Sequence, residues 1–206
     1  MKGTGKHATL LKVVILGDGG VGKSSLMNRF VNNEFDAQSF HTIGVEFLNK
    51  DIFVGDEHYT MQIWDTAGQE RFKSLRTPFY RGTDCCLLVF DVSDQASFEN
   101  ISMWKEEFIH YADVQDRDTF PFVLIGNKVD TENRAVKREE AEQWVKLNGG
   151  SQYFETSAKS NIHVERAFIA AAELLKSAPP LQKADHVDMI NINKTPVIVI
   201  SKESCC

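Results

Sequence analysis

Residues 17–24 read Gly-Asp-Gly-Gly-Val-Gly-Lys-Ser, the pattern G-x-x-x-x-G-K-[ST] of a loop that wraps phosphate. Its flanks constrain it further. The apolar, β-branched run Leu10 to Leu16 predicts a buried strand before it, and Ser25 to Val31 predicts a helix after it. Strand, glycine-rich loop and helix make the context this pattern needs, which a chance glycine-rich turn lacks. Gly17, Gly19, Gly20 and Gly22, with Asp18, Val21 and Ser25, form a cradle in which backbone N–H groups close around phosphate oxygens. The helix N-terminus adds partial positive charge at the same place. In such a loop Lys23 reaches the β- and γ-phosphates, and the Ser24 hydroxyl holds Mg²⁺.

The rest of the chain alternates strands and helices. Thr42 to Val54 and Tyr59 to Trp64 predict an antiparallel hairpin around the turn Gly55-Asp56-Glu57. Arg71 to Gly82 is charged and mixed, a short mobile helix at most. Cys85 to Phe90 and Pro121 to Gly126 are continuous apolar runs, as expected of parallel strands covered on both faces. Tyr153 to Thr156 is a further short strand. Asp94 opens a helix with Phe98, Ile101, Trp104 and Phe108 on one face, a core stripe. Lys137 to Asn148 and Asn161 to Lys176 are two more helices, ended by Gly149-Gly150 and Pro179-Pro180. The pattern predicts an α/β, doubly wound fold: a six-stranded, mostly parallel sheet with one antiparallel edge strand and five helices. Ligands in such folds lie beyond the carboxyl ends of the strands.

A chain of 206 residues fits one domain, 10–176, with a flexible N-terminus, 1–9, and a flexible tail, 177–206. The formal net charge of −6 argues against a nucleic-acid surface. No run reaches the ~20 apolar residues of a membrane span. The four cysteines form two adjacent pairs, Cys85-Cys86 and Cys205-Cys206. Neighbouring cysteines pair poorly with each other, which points to a reducing compartment. Cys85 and Cys86 read as small core residues.

Three further stretches carry chemistry. After the hairpin, Asp65 is placed to bind the Mg²⁺ shell. Gly68 offers a backbone N–H to a γ-phosphate, and the Gln69 amide is placed to orient an attacking water. In Asn127-Lys128-Val129-Asp130, the Asp130 carboxylate only accepts hydrogen bonds. Guanine presents two donors on one edge, N1–H and the 2-amino group, whereas adenine presents an acceptor and lacks that amine. An unpaired carboxylate facing adenine costs several kcal/mol, ~10⁴-fold in discrimination. Asn127 is expected to tie its loop to the phosphate loop, and the Lys128 stem and Phe35 ring to sandwich the base. The Ala158 N–H is expected to face the guanine O6, braced by Ser157 and Lys159.

Gly17 to Ser24, Thr42, Asp65 to Gln69, Asn127 to Asp130 and Ser157 to Lys159 resemble the five guanine-nucleotide motifs of Ras-like small GTPases. Ile43 to Phe47, Trp64 to Phe72 and Tyr80-Arg81-Gly82 resemble the Rab branch. The wording around Gly17-Asp18-Gly19-Gly20, Phe40-His41-Thr42 and Ser74 to Tyr80 is most similar to the late-endosomal Rab-nine subgroup, with Rab-seven second. The resemblance implies a P-loop GTPase fold and a switch that binds GTP and GDP with Mg²⁺ held by Ser24, Thr42 and Asp65. It implies a catalytic set of Lys23, Thr42, Gly68 and Gln69. The phosphate loop has no obvious arginine, so hydrolysis is expected to be slow until a GTPase-activating protein supplies one, typically ~10³–10⁵ in rate. Phe47, Trp64 and Phe79 match the aromatic triad that Rab effectors read. Cys205-Cys206 resembles the doubly geranylgeranylated Rab terminus, where two chains anchor stably. The implied partners are effectors, an exchange factor, an activator, a GDP-dissociation inhibitor, a Rab escort protein and the membrane. The globular part is expected to be monomeric. The implied setting is cytoplasmic, on late-endosome and Golgi membranes, in transport from late endosome to trans-Golgi. Two other classes compete: a P-loop ATPase or nucleotide kinase, which Asn127 to Asp130 opposes, and a non-hydrolysing nucleotide-gated membrane scaffold, which Gln69, Thr42 and Gly68 oppose.

Overall fold

The computed structural model describes residues 8–37, 42, 44–69, 73–114 and 116–177. Cys205, Cys206, the rest of the tail, and residues 1–7 lie outside the described residues, as do Phe40, His41 and Ile43. Six strands form one sheet: β1 (Thr9–Leu16), β2 (Val45–Val54), β3 (Glu57–Thr66), β4 (Cys85–Asp91), β5 (Phe122–Asn127) and β6 (Gln152–Glu155). Their order is β2-β3-β1-β4-β5-β6, with β2 antiparallel to β3 and every other neighbouring pair parallel. This is the expected sheet, including its antiparallel edge strand.

The helices are α1 (Lys23–Asn32), α2 (Lys73–Arg76) with a 3₁₀ turn at Thr77–Phe79, α3 (Gln95–Glu99), α4 (Ile101–Ala112), α5 (Arg138–Leu147) and α6 (Val164–Ser177). α3 and α4 meet at Asn100, whose N–H bonds the Ala96 carbonyl while its own carbonyl receives the Trp104 N–H. The pair is one interrupted helix, which gives the five expected among the described residues. Asp94 caps it, its carboxylate accepting from the Ala96 N–H at 3.0 Å.

Strand side chains alternate between two cores because successive residues face opposite sides. Val13, Ile15, Cys85, Leu87 and Val123 meet Leu26, Met27 and Phe30 of α1 and Phe168 of α6. Val14, Leu16, Cys86, Leu88 and Phe122 meet Ile101, Trp104 and Phe108 of α4. The adjacent thiols of Cys85 and Cys86 therefore serve opposite cores, and burial pushes both upward in pKa, as suits inert packing.

Several boundaries differ from expectation. β2 opens at Val45, not Thr42: Gly44 turns the chain at φ 90°, and the Thr42 hydroxyl points back to Ser24 and Asp65. β3 runs on through Asp65 and Thr66, so Asp65 sits on the rigid strand rather than after it. α6 starts at Val164, because Ser157 and Ile162 form an antiparallel bridge and His163 has positive φ.

Candidate nucleotide site

The carboxyl ends of β1, β3, β5 and β6 bring the motif residues to one cleft of about 310 Å³. Its lining includes Gly19, Gly20, Gly22, Lys23, Ser24 and Ser25, with Phe35, Thr42, Gly68 and Gln69, and at the other end Asn127, Lys128, Asp130, Ala158 and Lys159. Gly17, Asp18, Val21, Asp65 and Ser157 are not in the lining and act from behind it.

At the phosphate end, the Lys23 ammonium is buried and donates to the carbonyls of Gly17 at 2.8 Å and Asp18 at 2.7 Å. Burial brings its pKa down to about 8, against the opposing charges of Asp65 and Asp18. Glycine is required where the loops touch. A Cβ on Gly22 would lie 2.5 Å from the Asn127 amide nitrogen, and Gly22 holds φ 96°. A Cβ on Gly68 would lie 2.4 Å from the Asp18 carbonyl carbon and 2.5 Å from its oxygen. Gly68 thus seats the loop after β3 directly on the phosphate loop.

Three oxygens converge beside Lys23. The Ser24 hydroxyl bonds Thr42 Oγ1 at 2.7 Å and donates to Asp65 Oδ2, which Thr42 Oγ1 approaches at 3.3 Å. Asp65 is fully buried, and its Oδ1 has no hydrogen-bond partner among the described residues. Burial raises its pKa, opposed by Lys23, Ser24 and Thr42. A buried carboxylate with one oxygen lacking a donor and the other met by two hydroxyls brings together hard oxygen ligands that suit Mg²⁺.

At the base end, Asn127 closes β5 and is buried. Its Nδ2 donates to the Val21 carbonyl at 2.9 Å, and its Oδ1 accepts from Thr156 Oγ1 at 3.2 Å and the Ala158 N–H at 3.3 Å. The expected tie to the phosphate loop is present. The Ala158 N–H is turned toward Asn127 by a long bond. Ser157 Oγ donates to Asp130 Oδ1 at 2.5 Å and accepts from the Ser160 N–H, so it orients the Asp130 carboxylate. Lys128, at φ 67°, sends its ammonium to the Gly20 carbonyl at 2.8 Å and Asp91 Oδ2 at 2.7 Å, which stretches its stem along the cleft.

Phe47, Trp64 and Phe79 stand apart from the cleft as one stack, with centroids 4.9 and 5.2 Å apart, and Phe47 is half exposed. Sequence reasoning missed two anchors. Arg29 of α1 donates from Nε to the Ala158 carbonyl at 2.8 Å and holds the Ser157 to Lys159 loop. Trp104, read as core, also donates its indole N–H to Asp18 Oδ1 at 2.6 Å, beside Asn100 Nδ2 on Oδ2 at 2.8 Å.

A family model described as Ras family matches residues 12–177. The chain is 56% identical over 202 residues to Ras-related protein Rab-9A of Rattus norvegicus, covering 97% of this chain and 98% of that one. It is 67% identical over 159 residues to Ras-related protein Rab-9B of Mus musculus, covering 77% and 79%. Identity to Ras-related protein Rab7 of Cenchrus ciliaris is 48% over 207 residues, covering 98% of each. The chain belongs to the Ras family, in the Rab9 subgroup of Rab small GTPases. It is a GTPase, so the ATPase, kinase and non-hydrolysing readings fall away. As a Rab GTPase it regulates vesicle trafficking, with effectors, exchange factors, activators and a GDP-dissociation inhibitor as its class of partners. Among the described residues of this Rab GTPase, no helix is long and apolar enough to cross a membrane.

Proposed function

We propose that this Rab GTPase holds GTP or GDP in the cleft between the phosphate loop and the Asn127 to Asp130 and Ser157 to Lys159 loops, with Mg²⁺ on Ser24, Thr42 and Asp65. One observation carries the reading: phosphate, metal and base residues from five separate segments line or support a single cleft. Asp130, fixed by Ser157, accepts from the guanine edge. Lys128 and Phe35 cover the two faces of the base. Lys23 and the loop N–H groups hold the β- and γ-phosphates. When bound, Mg²⁺ neutralises charge on the phosphate oxygens. Gln69 orients the attacking water, and Thr42 and Gly68 sense the γ-phosphate, so both loops loosen when it leaves. An activator supplies the missing arginine. Effectors read the Phe47, Trp64 and Phe79 stack in the GTP form. Cys205 and Cys206 carry two geranylgeranyl groups, added with a Rab escort protein. The G domain acts as a monomer and cycles between cytosol and the cytoplasmic face of late endosomes, in transport toward the trans-Golgi.

Single-turnover cleavage of preloaded GTP tests the chemical core. Gln69→Leu is expected to slow it at least tenfold without a change in GTP affinity, and an unchanged rate refutes the role of Gln69. Imaging a tagged chain, and Cys205→Ser/Cys206→Ser beside it, tests the setting: late-endosomal signal that disperses in the double variant supports it, and signal on another compartment or unchanged by the variant refutes it.

A further inference from the structure

An arginine in a charged surface segment is ordinarily solvated. Arg76, the last residue of α2, is 1% exposed. All three of its guanidinium nitrogens have acceptors. Nε donates to Glu107 Oε1 at 3.0 Å and to the Tyr80 hydroxyl at 3.1 Å, and Nη2 donates to Glu107 Oε2 at 3.1 Å. Nη1 donates to the Gln69 carbonyl at 2.8 Å and the Ala67 carbonyl at 3.4 Å. Glu107 lies on α4, and Lys73 Nζ is 3.2 Å from its Oε2. Burial pushes the Glu107 carboxyl up, but the hydrogen bonds and charge of Arg76, with Tyr80 and Lys73, outweigh that and hold it below its ordinary value.

The geometry has a direction. A guanidinium is a rigid planar fork. With Nε and Nη2 fixed on Glu107, Nη1 is aimed at the backbone of the loop after β3, where it meets the Gln69 carbonyl at close range and the Ala67 carbonyl at longer range. The Trp104 ring lies 4.5 Å from the Arg76 Cζ and closes one face. The same indole donates its N–H to Asp18 in the phosphate loop. α4 and the Asn100 that caps it therefore grip the phosphate loop through Trp104 and Asn100, and α4 reaches the loop carrying Gln69 through Glu107 and the Arg76 of α2 that it holds. Buried ion pairs add little net stability in general. What this one supplies is a fixed placement of the Gln69 backbone relative to the phosphate loop.

We propose that Arg76 is a positioning residue for GTP hydrolysis, holding the Gln69 backbone in register with the phosphate loop through Glu107 and Trp104 of α4. This rests on the reading that Gln69 orients the attacking water. Misplacing a reacting group by about 1 Å costs up to ~10²-fold, and Arg76 cannot contribute more than Gln69 itself does.

The test is a double-mutant cycle on the full chain, read by single-turnover cleavage of preloaded GTP, with GDP release measured in parallel. Arg76→Ala is expected to slow cleavage about tenfold in the wild-type background and less than twofold in Gln69→Leu, with GDP release within threefold of wild type. A merely structural role would lower cleavage equally in both backgrounds or speed GDP release, and either result overturns the proposal, as does an unchanged rate for Arg76→Ala. Arg76→Lys keeps the charge but loses the fork, so it is expected to behave like Arg76→Ala; full rescue by lysine also overturns it. If Arg76→Ala does not fold, Glu107→Gln, which keeps shape and weakens the grip, runs the same cycle. An unchanged rate for Gln69→Leu sinks the reading of Gln69 itself, whereas a slow Gln69→Leu with equal Arg76→Ala losses in both backgrounds sinks only the positioning role.

Discussion

Asn127→Ala is the substitution that the site geometry prices most directly. Asn127 is buried at the end of β5 and joins two segments far apart in sequence: the phosphate loop, through Val21, and the stretch after β6, through Thr156 and Ala158. Alanine leaves the Val21 carbonyl, the Thr156 hydroxyl and the Ala158 N–H without this partner. Each buried group so left costs ~1–3 kcal/mol. The bonds at 3.2 and 3.3 Å are long and sit at the low end, while the 2.9 Å bond to Val21 carries more, so the sum is about 3 kcal/mol. For a domain of this size that lowers Tm by roughly 6–12 °C. Affinity falls only by the extra free energy the variant needs to re-order these loops around the nucleotide: if about 2 kcal/mol of the sum is felt in that step, GDP binds roughly 30-fold more weakly. Thermal melting of GDP-loaded protein and competition against a fluorescent GDP analogue measure the two quantities. Thr156→Val, which removes only one long bond, is expected to cost under ~1 kcal/mol. The reasoning fails if Asn127→Ala melts within 2 °C of wild type at unchanged GDP affinity, or if Thr156→Val costs as much.

Two further outcomes follow from charge. Asp130→Asn replaces a two-oxygen acceptor with one donor and one acceptor, so GDP is expected to bind ~10²–10⁴-fold more weakly, at ~1.5–3 kcal/mol per charge-assisted bond lost. Xanthosine diphosphate, with a carbonyl where guanine has its 2-amino group, is expected to gain affinity in the same variant; competition assays with both nucleotides decide it, and GDP binding within threefold of wild type would refute the assignment. Glu107 sits below its ordinary value of 4.5 in the folded chain, so the stability it adds is complete above about pH 4.5 and is lost as pH falls through the lowered value. Urea unfolding of GDP-loaded Glu107→Gln from pH 3.5 to 7 is therefore expected to show lower stability at pH 7 and a flatter acid limb, and parallel curves for the two proteins would contradict the linkage.

The strands and the nucleotide loops were legible because their signals are local. Glycine spacing, the lysine and the hydroxyl of residues 17–24 act within eight positions, and continuous apolar runs identify strands buried on both faces. The Asp94 cap and the end of α5 near Gly149 are equally local. The supports were not legible, because each joins residues far apart. Arg29 holds the carbonyl of Ala158, and Trp104 holds Asp18. A tryptophan on an apolar stripe reads as core, and Trp104 is core; nothing in the stripe shows that its single N–H faces the phosphate loop. Arg76 was hidden for the opposite reason. Its surroundings, Arg71 to Gly82, read as charged and mixed, a short mobile helix at most, and only the fold places Glu107 opposite it. Thr42 was misplaced on β2 because β-branched residues favour strands, whereas its hydroxyl has stronger partners in Ser24 and Asp65.

On the proposed function, the same geometry favours a highly charged ligand in this cleft. Lys23 and Asp65 are both withdrawn from water, and burial opposes the charge of each: the lysine is brought down to about 8 and the aspartate is raised. Buried charge without full compensation is costly. On the proposed function, phosphate oxygens beside Lys23 and a divalent cation beside Asp65 Oδ1 would compensate both groups at once, so binding would relieve a cost already present in the protein. Because Ser24 and Thr42 share Asp65 Oδ2, the three proposed metal ligands are coupled to the segment that carries Thr42, so on that reading whatever loosens Thr42 would also weaken the hold on the cation.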